Sequence, residues 1–170
     1  SIVKLSESKL NKMKEIGKIF FGKQTFLEVA NNNNGQNSIF SNNNLKIESV
    51  NTFLNVVANN CIHSGRWCYE VTLITNGSMQ IGFGQYISIP QFIRQNGVGM
   101  DFTSYSYDGY KKMKWNKDKK DYGKVWDVGD VIGVCIDMDV GKIEYYLNGE
   151  FLGIAFDKVP KGPNVVFFPA

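Results

Sequence analysis

The segment from Gly129 to Gly153 constrains the fold of this 170-residue chain more than any other. It contains three runs rich in β-branched and aromatic residues, separated by Asp139–Lys142 and by Asn148-Gly149. Asn-Gly between apolar runs is the strongest short-range indication of a β-hairpin, because both residues tolerate a positive φ. The segment therefore predicts a three-stranded antiparallel meander.

Other parts of the chain also have strand patterns. Apolar and polar residues alternate from Trp67 to Ile74, which predicts a strand with one face in a core. The asparagine runs at 31–34 and 42–44 interrupt strand-like segments, and asparagine suits hairpin tips because it tolerates the left-handed region. About a dozen short strands separated by turns favour an all-β fold of two antiparallel sheets packed face to face.

The N-terminal region has a different period. Leu10, Met13, Gly17 and Phe20 are spaced as on one face of a helix, with lysines on the other faces. We expect residues 1–24 to form a short helical extension packed on a sandwich of residues 25–170. A basic helix on a membrane surface is the alternative, but Gly17 lowers the helix propensity and the apolar stripe is narrow.

Composition excludes several classes of protein. With 43% hydrophobic residues the chain can build one domain with a sizeable core. The formal net charge of +3 is too weak by itself to indicate a nucleic-acid-binding protein. No apolar run approaches the length of a membrane span, and the first residues do not have the pattern of a secretion signal.

The three cysteines predict neither a disulfide framework nor a metal site. Their number is odd, and Cys68 and Cys135 lie in predicted strands, where cysteine behaves as a small buried hydrophobe. We expect all three thiols to be reduced, which fits a cytoplasmic or nuclear protein. Cys61, His63 and Cys68 lack the fourth ligand of a structural zinc site. We expect no metal and no other cofactor.

No combination of residues indicates an enzyme. Asp137 and Asp139 have the spacing of a carboxylate pair, but a tight turn explains them better. Ser64 follows His63 without an acid in the sequence to orient the histidine. The Gly-X-Gly tripeptides do not open a helix and lack the Lys-Ser/Thr of a phosphate-binding loop. We therefore expect no catalytic residues.

A series of motifs accompanies the meander in a fixed order along the chain. They are Gly65–Thr72, Met79–Gly84, Gly97–Gly99, Ser104–Gly109, Lys114–Asn116 and the terminal Phe168-Pro169-Ala170. In that order and spacing they resemble the SPRY (B30.2-like) domain. The resemblance covers roughly residues 59 to 170, and many motifs must occur in one order to produce it. It is closest to the SPRY domain of large RING-type E3 ubiquitin ligases that promote degradation of a cyclin-dependent kinase inhibitor.

The resemblance implies a non-catalytic module that binds a protein or peptide through loops at one end of the sandwich. In this chain those loops are the asparagine-rich turns, the long connection 85–100 and the segment around Tyr105. Long irregular connections commonly carry function, and exposed aromatic and arginine side chains supply much of the energy of an interface. The predicted contact residues are Tyr86, Phe92, Arg94, Gln95, Tyr105 and Tyr107.

The resemblance also has a departure. In the family, strands continue after the Phe-Pro-Ala position, and some peptide-binding members place a contact tryptophan there. This chain ends at Ala170, so we expect it to belong to a larger multidomain protein and either to lack its last strands or to close the sheet with other residues. A RING sequence elsewhere in that protein would support the ligase interpretation.

Two other functions remain open. The basic segment Lys111–Lys120 contains Trp115, and lysines interleaved with an aromatic residue can bind phosphates and stack a base of RNA. A solvated hairpin with Trp115 packed inward explains the same segment. A purely structural domain inside a large assembly is the second alternative. An exposed, partly apolar patch between the named loops would argue against it.

Overall fold

The computed structural model describes residues 27–29, 38–42, 45–49, 55–58, 60–88 and 97–170. The part it describes is almost entirely β-structure, with one 3₁₀ turn at Tyr86–Ser88. The predicted all-β class is therefore confirmed. The predicted N-terminal helix lies outside the described residues, and the division into 1–24 and 25–170 stays a prediction.

The strands follow one another along the chain with short turns between most of them. They are β1 (Leu27–Val29), β2 (Ser38–Ser41), β3 (Lys46–Ser49), β4 (Val56–Ala58), β5 (Arg66–Thr72), β6 (Ile81–Gln85), β7 (Ser104–Asp108), β8 (Met113–Asn116), β9 (Asp118–Asp121), β10 (Val131–Asp137), β11 (Lys142–Leu147), β12 (Glu150–Phe156) and β13 (Phe167–Pro169).

Two antiparallel sheets hold most of these strands. One has four strands in the order β12-β11-β10-β5, and the other has five in the order β13-β6-β7-β8-β9. The pairs β1-β4 and β2-β3 form two further ribbons. The predicted meander is β10-β11-β12, and β13 lies beside β6 at one edge of the five-stranded sheet.

The two large sheets enclose an aromatic core. The ring of Tyr107 on β7 contacts the rings of Tyr122, Trp126 and Tyr145 edge-on, with centroid distances of 5.4, 5.1 and 5.2 Å. Tyr145 lies on β11 in the opposite sheet, and its hydroxyl donates to the carbonyl of Ile81 at 3.0 Å. Burial raises the pKa of Tyr145 well above its ordinary value, which keeps this phenol neutral.

The turns follow the predicted chemistry. Asn42 has a φ of 53°, and its carbonyl accepts from the amide of Leu45 at 3.0 Å between β2 and β3. In the β10-β11 turn it is Asp137, rather than Asp139, that caps the backbone: Asp137 Oδ1 accepts from the amides of Asp139 and Val140 at 2.9 and 3.0 Å. Asp139 Oδ1 instead accepts from the amide of Gly65 at 3.1 Å, so the turn interpretation holds for Asp137 and is wrong for Asp139.

The expectation of three reduced thiols is wrong for two of them. Cys68 on β5 and Cys135 on β10 are directly paired across the strands, with their Cα atoms 4.2 Å apart, and they form a disulfide. Both side chains lie on the outer face of the four-stranded sheet. The strand register brings the two sulfurs together, and the spacing of the cysteines in the sequence does not predict it. Cys61 is free and buried, and burial raises the pKa of its thiol to about 11.

Among the described residues there is no helix long and apolar enough to cross a membrane.

The turn of the β11-β12 hairpin requires two residues with positive φ, and this requirement can be tested by substitution. Asn148 and Gly149 have φ values of 52° and 80°, as a type I′ turn demands. A Cβ at Gly149 would meet no atom within 4 Å, so the cost of a side chain there is conformational. We expect Gly149→Val to lower the free energy of unfolding by about 1–3 kcal/mol, measured by urea denaturation.

The matched control is Gly149→Asn, because asparagine tolerates the left-handed region. It is expected to keep most of the wild-type stability. Equal stability of the valine and asparagine variants would contradict the assigned turn.

The disulfide predicts a thiol count. The chain denatured without reductant should react as one thiol per molecule with a chromogenic thiol reagent, and as three after reduction, since the sequence has three cysteines. Loop-closure entropy over 67 residues predicts a loss of about 4 kcal/mol of stability on reduction. Three thiols before reduction would show that the pair is open in solution.

Candidate functional site

Three connecting segments lie together at one end of the five-stranded sheet: the one after β6, the one before β7 and the turn between β8 and β9. The amide of Gln85 at the end of β6 donates to the carbonyl of Thr103 at 2.9 Å, just before β7 begins. Tyr86, which follows β6, and Phe102, which lies just before β7, are therefore close together beyond the same end of the sheet. The tight turn at Lys117 joins β8 to β9 at the same end. We call Tyr86–Ser88, residues 97–103 and Lys117 the loop end.

Large apolar side chains are exposed at the loop end. Phe102 is 62% exposed, Met100 48% and Tyr86 38%. The ammonium of Lys117 lies 4.1 Å from the centroid of the Phe102 ring, and the Tyr86 ring lies 6.3 Å from that of Phe168 on β13. Aromatic and methionine side chains that are exposed together are typical of protein-binding surfaces.

A polar network holds the loop that carries these side chains. Asp101 Oδ1 accepts from the Thr103 amide at 2.7 Å, the Thr103 hydroxyl at 3.0 Å and the Ser104 hydroxyl at 2.9 Å. The Thr103 hydroxyl also lies 2.7 Å from the hydroxyl of the buried Ser88. Asp101 thus fixes the backbone between Met100 and β7. A surface that is ordered before binding loses less entropy when a partner binds.

The loop packs closely on the outer face of the sheet. Ser106 Oγ donates to the Val98 carbonyl, and the Gly99 amide donates to Ser104 Oγ, each at 2.7 Å. Gly99 has a φ of 89°, and a Cβ there would lie 2.6 Å from Ser106 Oγ and 2.7 Å from Trp115 Cβ. Only glycine permits this approach. The Gly97–Gly99 motif therefore covers the serines of β7.

The predicted contact residues have different positions in the structure. Tyr86 lies at the loop end and is exposed, as expected. Tyr105 and Tyr107 are 5% and 0% exposed, because both point from β7 into the core. Burial, with a smaller contribution from Asp101, raises the pKa of Tyr105 to about 12. The expectation that these two tyrosines are exposed is wrong.

The remaining predicted residues cannot be placed. Phe92, Arg94 and Gln95 lie outside the described residues. The described residues on either side of them, Ser88 and Gly97, both belong to the loop end. These three contacts stay predictions.

The sequence reasoning missed Met100, Phe102 and Lys117. The strand Ser104–Asp108 alternates serine with tyrosine, and it was interpreted as an exposed aromatic loop. Small hydroxyl residues alternating with tyrosines are typical of a strand with one face in the core and the other under a closely packed loop. That pattern places the exposed aromatic residue just before the strand, at Phe102.

The basic segment Lys111–Lys120 does not form one face. The Lys114 ammonium points inward, donates to the Ala155 carbonyl and lies 5.4 Å from the rings of Tyr122 and Phe156. Burial is the main cause of its lowered pKa. Trp115 pairs with Ser106 on the outer face of the sheet and is half-buried beside Gly99, so the prediction that it packs inward is wrong. A continuous ladder of lysines along this hairpin is therefore excluded.

A shallow depression of about 200 Å³ lies on the outer face of the four-stranded sheet. Its lining includes Arg66 and Glu144, which form an ion pair with each other, and Asp137, which caps a turn. Within the described ranges no cluster of three or more His, Cys, Asp or Glu side chains is arranged to hold a metal ion. The carboxylates that line the depression are therefore both engaged, Glu144 in an ion pair and Asp137 in a turn.

Comparison with known proteins agrees with this geometry. The family described as the SPRY domain matches residues 66–170. Over 127 residues the chain is 44% identical to the E3 ubiquitin-protein ligase RKP of Arabidopsis thaliana. That alignment covers 74% of this chain and 10% of the ligase, so the chain spans about a tenth of this relative. SPRY domains are protein-interaction modules. With a matched family over more than half its length and a two-sheet sandwich, this chain belongs to the SPRY domain family.

Proposed function

We propose that this chain is the non-catalytic, partner-binding module of a larger intracellular protein, and that it docks a substrate or scaffold protein for an E3 ubiquitin ligase. The relative named an E3 ubiquitin-protein ligase supports the second part. The observation that carries the proposal is the exposure of Phe102 and Met100 on a loop fixed by Asp101, together with the exposed Tyr86 after β6. An exposed, pre-ordered aromatic surface favours binding of a protein.

The proposed contact surface is the loop end. It includes the exposed Tyr86, Met100 and Phe102, together with the predicted contacts Phe92, Arg94 and Gln95 from the connection that leaves and rejoins it. The core residues Tyr105 and Tyr107 support this surface from below and do not touch the partner. Their rings pack on Phe156, Phe167, Tyr145 and Trp126.

The alternatives are less well supported. An RNA-binding function requires several ammonium groups along one face, and Lys114 is turned into the protein. A purely structural domain does not need three large apolar side chains in water at one end of a sheet. The protein-docking function is therefore the better explanation.

Removing side chains of the proposed contact surface should weaken partner binding. We expect Tyr86→Ala, Phe92→Ala, Arg94→Glu and Phe102→Ala each to lower recovery of specific partners from cell extract by about fivefold or more, measured by quantitative mass spectrometry. The melting temperatures of Tyr86→Ala and Phe102→Ala should shift by less than about 2 °C, because these two exposed side chains support little of the core. Phe151→Ala is the matched control, since it removes an exposed phenylalanine from β12.

Substitution of the buried Tyr105 should affect stability rather than the binding surface. Tyr105→Ala should destabilise the fold by about 3–5 kcal/mol and lower recovery only through unfolding. If all four loop-end variants recover partners like the wild type, the loop end is not the docking surface, and the structural-domain interpretation becomes the better one.

A further inference from the structure

We propose that the loop end recognises an acidic peptide segment that also carries a large apolar side chain. This inference rests on the proposed docking function and specifies the chemistry of the partner. It requires two features at one place: ammonium groups that are free to bind carboxylates, and an apolar surface beside them. The loop end and the adjoining face of β8 and β9 have both.

The free ammonium groups are those of Lys117 and Lys119. Lys117 lies over the Phe102 ring at 4.1 Å, and Lys119 lies 5.8 Å from the ring centroid of Trp115, its partner across β8 and β9. Neither lysine forms an ion pair with a carboxylate in the described part of the chain. Lys111, on the other side of Trp115, already lies 3.9 Å from the Asp108 carboxylate.

Contacts with the aromatic rings hold both lysine side chains close to the surface. An ammonium over a ring is attracted by the π-electrons while its outer side remains available to an anion. The stem of the side chain covers apolar surface at the same time. Lys117 and Lys119 are therefore oriented before a partner binds, which reduces the entropy lost on binding a carboxylate.

The surrounding carboxylates do not cancel this positive charge. Asp108 is paired with Lys111, and Asp101 is turned into its own loop, where Oδ1 accepts hydrogen bonds from Thr103 and Ser104. Asp118 and Asp121 are exposed at the two ends of β9. Lys111 is offset by Asp108, and the other exposed lysines of this hairpin outnumber these two carboxylates, namely Lys112, Lys117, Lys119 and Lys120. The local excess of positive charge favours an acidic partner.

The apolar anchor point is the surface of Phe102, Met100 and Tyr86. Methionine adapts its shape to a partner, and aromatic side chains contribute large contact areas with little loss of conformational freedom. Asp101 fixes the loop between them. A leucine or phenylalanine in the partner can pack here while its acidic neighbours approach Lys117 and Lys119.

A peptide explains these features better than a nucleic acid does. Nucleic-acid affinity comes from many phosphate contacts, and the four exposed lysines of this hairpin outside ion pairs, accompanied by Asp118 and Asp121, supply few. The adjoining face of β7 is covered by Val98 and Gly99, so the strand does not offer an open stacking platform.

The test begins with an unbiased selection. Random dodecapeptides displayed on phage are selected on the full 170-residue chain, and the enriched sequences are compared with the input library. We expect peptides with an excess of Asp and Glu around one Leu, Phe or Trp. A synthetic fluorescent copy of the most enriched peptide is then titrated by fluorescence anisotropy at two salt concentrations.

Matched variants locate the binding site. Lys117→Glu combined with Lys119→Glu should raise the Kd at least tenfold, and Phe102→Ala should raise it by a similar factor. Phe151→Ala removes an exposed phenylalanine from β12, and Lys158→Glu reverses one exposed charge outside the loop end; we expect their Kd values to stay within twofold of wild type. Thermal denaturation confirms that each variant is folded.

The outcomes separate this inference from the function on which it rests. Enriched peptides without excess acidic residues, or equal losses in the control variants, would overturn the acidic-peptide inference and leave the docking function intact. Tighter binding of a fluorescent twelve-nucleotide single strand than of the selected peptide would overturn it in favour of a nucleic acid. Failure to enrich any peptide, together with unchanged partner recovery by the loop-end variants, would overturn both.

Discussion

The contact between Tyr107 and the opposite sheet is the interaction on which the rest of the sandwich depends. Tyr107 packs on Tyr145 across the interior, while its hydroxyl donates to the Lys124 carbonyl and accepts from the Lys124 amide at 3.1 Å. Gly123 approaches so closely that a Cβ there would lie 2.8 Å from the ring. One side chain therefore joins both sheets and the connection between β9 and β10, and it fixes the strand that supports the loop end.

The strands and turns of the fold could be predicted from the sequence because each depends on residues that are close together in the chain. Asn148-Gly149 defines a hairpin through allowed φ values, and alternation defines strand faces. The site was predicted only in part, because exposure depends on contacts that are distant in the chain. Tyr105 resembles an interface residue in the sequence, and only the packing of Phe156 and Phe167 on it shows that it is buried. The Cys68–Cys135 pair was missed for the same reason, since it follows from strand register across 67 residues.

The loop end combines an ordered backbone with side chains that have little contact with the protein. Asp101 and Gly99 fix the main chain, whereas Phe102 and Met100 extend from it into solvent. This division lets the exposed residues change without altering the support beneath them. Within the SPRY fold, specificity for a partner can therefore evolve at such positions at little cost to stability.

The composition of β9 has a consequence for how copies of the domain behave when they are close together. β9 is the edge strand of the five-stranded sheet, and its four residues, Asp118 to Asp121, are all charged and exposed. An open edge presents unpaired amides and carbonyls to which a strand from another molecule can add. Charged side chains along this edge oppose such addition. Many copies brought close together on one assembly would therefore resist edge-to-edge aggregation.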